Sequence, residues 1–266
     1  DNMGTLSITT VSDLIVVKGQ SDNVQVRVTG RSNYTPNYNV SESNGDVNIE
    51  YTNNIRVGVS FSDVEMVVEV PESFMGDCYI KDMSGTINFG VSDLGYVELT
   101  SSSGRIYVDD IVCDELSVDA SSGSLHIGEV HCNNSMFETS SGSINIDGLN
   151  SRQSYIHASS GSIEIDDVVN TDISAESSSG SITVNYDEYD SNEVDIHASS
   201  GSVRLSLPGY AAFNINARTN SGKVSCDFSL NTDVDKDNEL IGSTHDGLSN
   251  DITLLANSGR ISIEQD

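Results

Sequence analysis

Glu138, His157, Glu176 and His197 recur at intervals of 19, 19 and 21 residues, carboxylate alternating with imidazole. Such side chains bind zinc and related transition metals through oxygen and nitrogen, provided the fold brings residues so far apart in sequence side by side. Asp119 precedes the series and Arg218 follows it. The competing reading, and the one adopted, is a ladder of alternating charge that keeps like charges from facing each other across strands. A second series, Asp109, Asp147 and Asp166, with Asp110, Glu129 and Asp167 one step on, offers the oxygen ligands that calcium takes. Asp is also an ordinary turn residue, and the Gly-Gly-x-Gly-x-Asp calcium repeat is absent. Counter-ion condensation explains that series without a specific site. The expectation is therefore no bound metal and no cofactor.

Catalytic signatures are missing. There is no Gly-x-Ser-x-Gly with a matching His and acid, no Cys-x-x-Cys, no His-Glu-x-x-His, no P-loop and no dinucleotide fingerprint. The enzymatic alternative is a β-helical polysaccharide lyase or glycosidase using two carboxylates on one face. Against it, the 12 Lys and Arg residues form no cluster for an acidic polymer. Tyr107, Tyr155, Tyr186 and Tyr189 are candidate stacking surfaces for a ligand, or packing residues.

The elements that must position these residues follow from a repeat. Ser-Ser-Gly-Ser-Ile-x-Ile and close variants place glycines at 85, 104, 123, 142, 161 and 180, each 19 residues after the last, and again at 201, 222 and 259. Apolar residues stand two and four positions after each glycine (Ile106 and Val108, Leu125 and Ile127, Ile144 and Ile146) with polar residues between. That alternation is a strand with one buried face. A second short strand, such as Ser154–Ala158, precedes the next Ser-Ser-Gly, and glycine suits the corner because it takes positive φ freely. No sustained 3.6-residue pattern indicates a helix. Two strands per 19 residues cannot bury their apolar face alone, whereas stacking successive copies in register buries it. The predicted fold is all-β, a right-handed parallel β-solenoid, with a sandwich of antiparallel hairpins as the alternative. About ten coils from residue 76 onward, spaced by about 4.8 Å, make a rod roughly 45–50 Å long. The 37-residue gap before Gly259 predicts a degenerate coil within Asp233–Gly247, and Ser43-Asn-Gly-Asp-Val-Asn-Ile49 reads as an early copy. Residues 1–75 are less regular, with strands at Leu14–Val17, Val24–Val28 and Val64–Val70, a stop at Pro71 and a loop at Arg31–Asn39. They are expected to cap the exposed strand edge, with 76–266 forming the regular solenoid of one continuous domain.

Phase also sorts the cysteines. Cys226 takes a position filled elsewhere by Ile or Val and reads as a buried free thiol. Cys78 lies some seven coils away, beyond the reach of a disulfide. Cys113 and Cys132 both stand nine residues after their glycine, so stacking makes them neighbours. They are either a ladder of reduced thiols, which is favoured, or a disulfide, whose dihedral angle suits parallel side chains poorly. The paired serines are expected to satisfy turn backbone groups and one another.

The order of residues overrides a composition that alone suggests disorder: 41 Asp and Glu against 12 Lys and Arg, a net charge of −29, and no Trp. That charge repels phosphate backbones and anionic headgroups, so no nucleic acid is expected as a partner. No apolar run approaches the ~20 residues of a membrane-spanning helix, so membrane insertion of this segment is not expected, and no signal peptide remains at Asp1.

Strands ending in Val68-Glu-Val-Pro71, followed by serial Ser-Ser-Gly-Ser-Ile-x-Ile copies, resemble the bacterial putative adhesin family of β-solenoid domains, related to the adhesin head domains called GIN. The likeness runs from about Leu6 to residue 266. It implies an exported protein of a bacterial surface, outer-membrane lipoprotein or periplasm. On that footing the expected function is a non-catalytic, monomeric surface module that presents an elongated face to an unknown protein or glycan. A structural or sensing domain of an envelope-stress system is the alternative.

Overall fold

In the computed structural model, described for residues 4–30, 38–51, 64–245 and 250–266, the chain is all strand and turn, without helix. The predicted loop at Arg31–Asn39 lies outside the described residues up to 37, and Tyr38 and Asn39 already belong to a strand. The first strands are β1 (Thr5–Thr10), β2 (Asp13–Gly19), β3 (Gln25–Gly30), β4 (Tyr38–Ser43), β5 (Asp46–Tyr51), β6 (Val64–Pro71), β7 (Asp77–Asp82) and β8 (Ile87–Gly90). Next come β9 (Leu94–Ser101), β10 (Ile106–Val108), β11 (Ile111–Ser122), β12 (Leu125–Ser141), β13 (Ile144–Ser160), β14 (Ile163–Val169), β15 (Asp172–Ser179) and β16 (Ile182–Glu188). The remainder are β17 (Val194–Ser200), β18 (Val203–Leu207), β19 (Asn214–Ser221), β20 (Val224–Cys226), β21 (Asn231–Lys236), β22 (Glu239–Ser243), β23 (Asp251–Ser258) and β24 (Ile261–Gln265).

The repeats stack in parallel and in register, as a β-solenoid requires. Ile106 pairs with Leu125, Leu125 with Ile144, Ile144 with Ile163 and Ile163 with Ile182, each one coil further along. The strands just before the corners form one continuous parallel stack: β5, β1, β7, β9, β11, β12, β13, β15, β17, β23, β19. At about 4.8 Å per step this stack is roughly 48 Å long. Inward columns are apolar, for example Val118, Phe137, Ile156, Ala175 and Ile196, all essentially without solvent exposure. Each coil leaves its apolar stripe bare until the next one covers it, so burial depends on stacking.

The glycine at each corner is needed for space. A Cβ on Gly104 would land on the carbonyl of Gly85, one on Gly123 on that of Gly104, and so on through Gly142, Gly161, Gly180 and Gly201. The expected reason, positive φ, does not hold for these: of the corner glycines only Gly259 lies in that range, at 154°. Hydroxyls reinforce the same seam. Thr139 donates to the Gly123 carbonyl at 2.9 Å and Ser177 to that of Gly161 at 3.0 Å, while the Ser143 amide donates to the Ser124 hydroxyl at 3.3 Å.

Both ends of the stack depart from sequence order. β1 lies between β5 and β7, and β2 between β6 and β8, so the first coil is sandwiched and a later one lies outside it. On the outer coil β3 runs antiparallel to β6 and β4 antiparallel to β5. At the other end β23 and β24 fill a slot between the Gly201 and Gly222 coils, giving the spatial order 201, 259, 222. Of the stretch expected to hold a degenerate coil, the residues up to Ser243 belong to an antiparallel hairpin instead, β21 with β22, and β22 pairs antiparallel with β19, while residues 246 and 247 lie outside the described residues. The early Ser43-Asn-Gly copy is likewise a hairpin turn between β4 and β5, with Asn44 at φ 56° and Gly45 at φ 86°. That is the Asn-Gly chemistry of a tight two-residue turn.

Two outcomes follow. Gly142→Ala should lower stability by about 3 kcal/mol in denaturant unfolding, because the new methyl meets backbone and not a side chain that can move aside. The neighbouring exposed Ser140→Ala should stay within about 0.5 kcal/mol. Deleting residues 250–266 removes the parallel neighbours of β19 and β20 and so detaches them from the stack; limited proteolysis should then cut within 210–245 while the coils up to Gly201 survive.

Candidate functional site

The fold brings the His and Glu series together as a column. Asp119, Glu138, His157, Glu176 and His197 are cross-strand partners in succession. Leu255 follows His197, and Arg218 comes only after it, because the coil of β23 is interposed. The column points outward, between the buried residues Ile156 and Ala158 on one strand and Ile196 and Ala198 on another. Among the described residues no three His, Cys, Asp or Glu side chains are placed to share a metal ion. His197 instead meets Asp195 on its own strand, Nε2 to Oδ1, at 2.9 Å. Arg218 pairs with Glu239 of the hairpin at 3.1 Å. Carboxylate and imidazole alternate along the column from Glu138 to His197, whereas Asp119 and Glu138 at its start are like charges facing each other.

The carboxylate series lies along a different corner, where two open depressions of about 610 and 900 Å³ meet at Asp147. One is lined by Tyr107, Asp109, Asp110, His126, Gly128 and Asn145. Tyr107 and His126 stand at the same position of successive coils, and their rings stack with centroids 4.9 Å apart and planes 10° from parallel. The Asn145 amide nitrogen is 3.5 Å from His126 Nδ1. Gly128 leaves the floor open, and the Asp110 carboxylate leans into that space and accepts the Glu129 amide at 3.1 Å. The second depression continues past Glu164, Asp166, Asp187 and Arg204 to Glu264 and Asp266. Asp166 accepts a short hydrogen bond from Asn185, and Arg204 pairs with Glu264 at 3.4 Å. Together they make a trough crossing the coils from Gly104 to Gly259, about 30 Å at the stacking interval of ~4.8 Å. It presents carboxylates, amides and hydroxyls, with an aromatic stack at one end. No fixed pair of a nucleophile and a base occurs among these contacts.

Of the four tyrosines, Tyr155 is exposed on the outward face beside Met136 and Tyr107 stacks in the trough, whereas Tyr186 and Tyr189 are buried. They pack edge to face, with hydroxyls donating to the carbonyls of Thr171 at 2.6 Å and Asn192 at 2.9 Å. They fill the wider coil that follows Val184 and cannot meet a ligand. The Tyr107–His126 stack was detectable in sequence, since both residues stand three after their glycine.

All four cysteines are free thiols. Cys113 pairs in register with Leu94, and Cys132 with Ser151. A hydrogen bond from the Cys113 thiol lowers the pKa of Cys132 and raises that of Cys113. Burial pushes Cys78 up to about 12. Cys226 is half-buried, not buried as its phase predicts, because β20 has a parallel neighbour on one side only. Burial raises its pKa too. With a thiol reagent at neutral pH, Cys132 should therefore react first, Cys226 more slowly and Cys78 only after unfolding. Peptide mapping that finds Cys78 modified in folded protein would contradict this arrangement.

Three solved structures are similar over the whole chain. A putative cell adhesion protein from Clostridium sporogenes shares 13% identity, with 100% of this chain and 94% of that chain covered and a TM-score of 0.32. A putative adhesin from Bacteroides fragilis shares 13%, with 100% and 93% covered and a TM-score of 0.49. One from Parabacteroides distasonis shares 12%, with 100% and 93% covered and a TM-score of 0.47. Likenesses this remote carry no argument about what the chain binds. No curated protein matches. The Toastrack DUF4097 family matches residues 4–264, nearly every coil described above, and the chain belongs to that family.

Proposed function

We propose that this domain is a non-catalytic module of a bacterial surface or envelope that presents one long face of its rod to a protein or carbohydrate partner. The observation that carries the reading is the trough: two shallow, solvent-open depressions that adjoin at Asp147 and extend from Tyr107 to Asp266, lined by polar side chains from successive coils. A trough of that form suits an extended chain, held through many weak polar contacts, better than a small substrate enclosed for chemistry. Carboxylates and amides recognise hydroxyls and backbone groups, and the Tyr107–His126 stack supplies an apolar surface at one end. The adhesin names of the similar structures agree with this reading without adding weight to it.

On this reading residues 1–75 serve as the cap and 76–266 as the presenting rod, monomeric and exported. The strong negative charge of the trough keeps nucleic acid away. No helix among the described residues is long and apolar enough to cross a membrane.

An array of glycans and host-matrix proteins, probed with and without calcium, tests the proposal. Specific binding is expected, and reversing two exposed charges, Asp147→Lys with Glu164→Lys, should weaken it at least tenfold with unchanged thermal stability. Binding that survives the reversal would move the recognition face elsewhere on the rod. An array with no specific binding would count against recognition and favour a spacer or sensing role.

A further inference from the structure

Asp82 ends β7, three residues before Gly85, and is a carboxylate without any solvent exposure. The same inward position in other coils holds alanine, as at Ala120 and Ala158, or a hydroxyl that bridges coils. Thr139, Ser177 and Thr219 each donate from it to the corner carbonyl of the adjoining coil, at 2.9–3.0 Å. A neutral carboxyl can act as such a donor and an ionised one cannot.

The surroundings of Asp82 offer a negative charge little support. Neither of its oxygens has a hydrogen-bond partner, and the hydroxyl of Ser101, its neighbour in β9, has none either. On the other side, in β1, Thr10 shares its hydroxyl with Ser12 at 3.1 Å. The Met83 amide donates to the Thr10 carbonyl at 3.0 Å, so the turn amides of Met83, Ser84 and Gly85 lie near the carboxyl and favour its charge without closing a hydrogen bond to either oxygen. The charged group that acts on it is Asp13, at the start of β2, whose carboxylate accepts the Thr86 amide at 2.8 Å. Lys81, next in sequence, is exposed on the outward side of the strand. Burial without a completed hydrogen bond, close to a like charge, favours the neutral acid.

We infer that Asp82 is held in the folded protein as a carboxylic acid in mildly acidic solution, and that its ionisation towards neutral pH loosens the joint between β1, β7 and β9, making this end of the rod sensitive to pH. Burial is the largest influence and pushes the carboxyl up to about 6 from an ordinary 3.8; the turn amides of Met83, Ser84 and Gly85 oppose it, and Asp13 adds to it. Between those two values the folded chain holds a proton that the unfolded chain has released. The contribution of Asp82 to stability is therefore present below about pH 4, falls as pH rises towards about 6, and is level above that.

Melting the parent protein beside Asp82→Asn and Asp82→Ser across pH 4–8 tests the inference. Carboxylates remote from Asp82 titrate alike in all three, so the difference between parent and variant reports this group together with its coupling to Asp13. That difference should move by roughly 5–10 °C in favour of the variants between pH 4 and pH 7. A difference constant across the range would overturn the inference. Should both variants fail to fold, the side-chain carboxyl carbon of Asp82 can be followed by NMR in the unmodified protein. A midpoint near 6 is expected, and a midpoint near the ordinary value would overturn the inference just as surely.

Discussion

The rod depends on a line of backbone contact too tight for a single methyl group. Along the corner, the α-carbon of each glycine lies against the carbonyl of the glycine in the neighbouring coil, and a Cβ there would meet backbone atoms that cannot yield. This closeness fixes the height of the coil step at one edge, and the hydroxyls of Thr139 and Ser177 bridge coils at the same edge. With the step fixed, inward side chains meet their counterparts one coil away, and the apolar columns merge into one buried core. The outward columns inherit the same register, which is why residues 19 apart in sequence face each other across about 5 Å.

Most of this was legible because the sequence repeats itself at constant phase. Parity assigned Ile156 and Ala158 to the interior and His157 to the surface, and the structure agrees. Phase also placed Cys113 and Cys132 on neighbouring coils and the Asp series along one corner. Phase failed where a local motif imitates the repeat. Ser43-Asn-Gly-Asp-Val-Asn-Ile49 scans like a corner, but Asn followed by Gly makes a hairpin turn, and short-range backbone preference prevails there. Tyr186 continues the inward alternation of Ile182 and Val184, so parity alone favours packing over the stacking surface also considered for it, and the register shift beside it lies in β14, between Ile165 and Val168.

The ends were illegible for a different reason. Which slot a coil occupies is set by which strand edge lies free, and nothing in a repeat phrase encodes that. The Gly222 and Gly259 phrases are equally good copies, and their spatial order is the reverse of their sequence order. Asp82 escaped notice for a related cause: at its position a carboxyl looks like one more polar residue of a strand, and only the stacked neighbours reveal that it is buried with no completed hydrogen bond. The trough, by contrast, gathers residues the repeat had already aligned, and it becomes visible as a single surface only once the coils are stacked.

The interleaved ends have a consequence for how such a protein can change in length. Between Gly85 and Gly201 a unit of 19 residues can be duplicated or lost, and the neighbouring coils would close over the change without altering any other pairing. Beyond those limits the same event would separate partners that belong to different turns of the chain, such as β17 from β23 or β1 from β5. Variation in reach is thus confined to the middle of the rod, while its two ends are inherited as indivisible pieces.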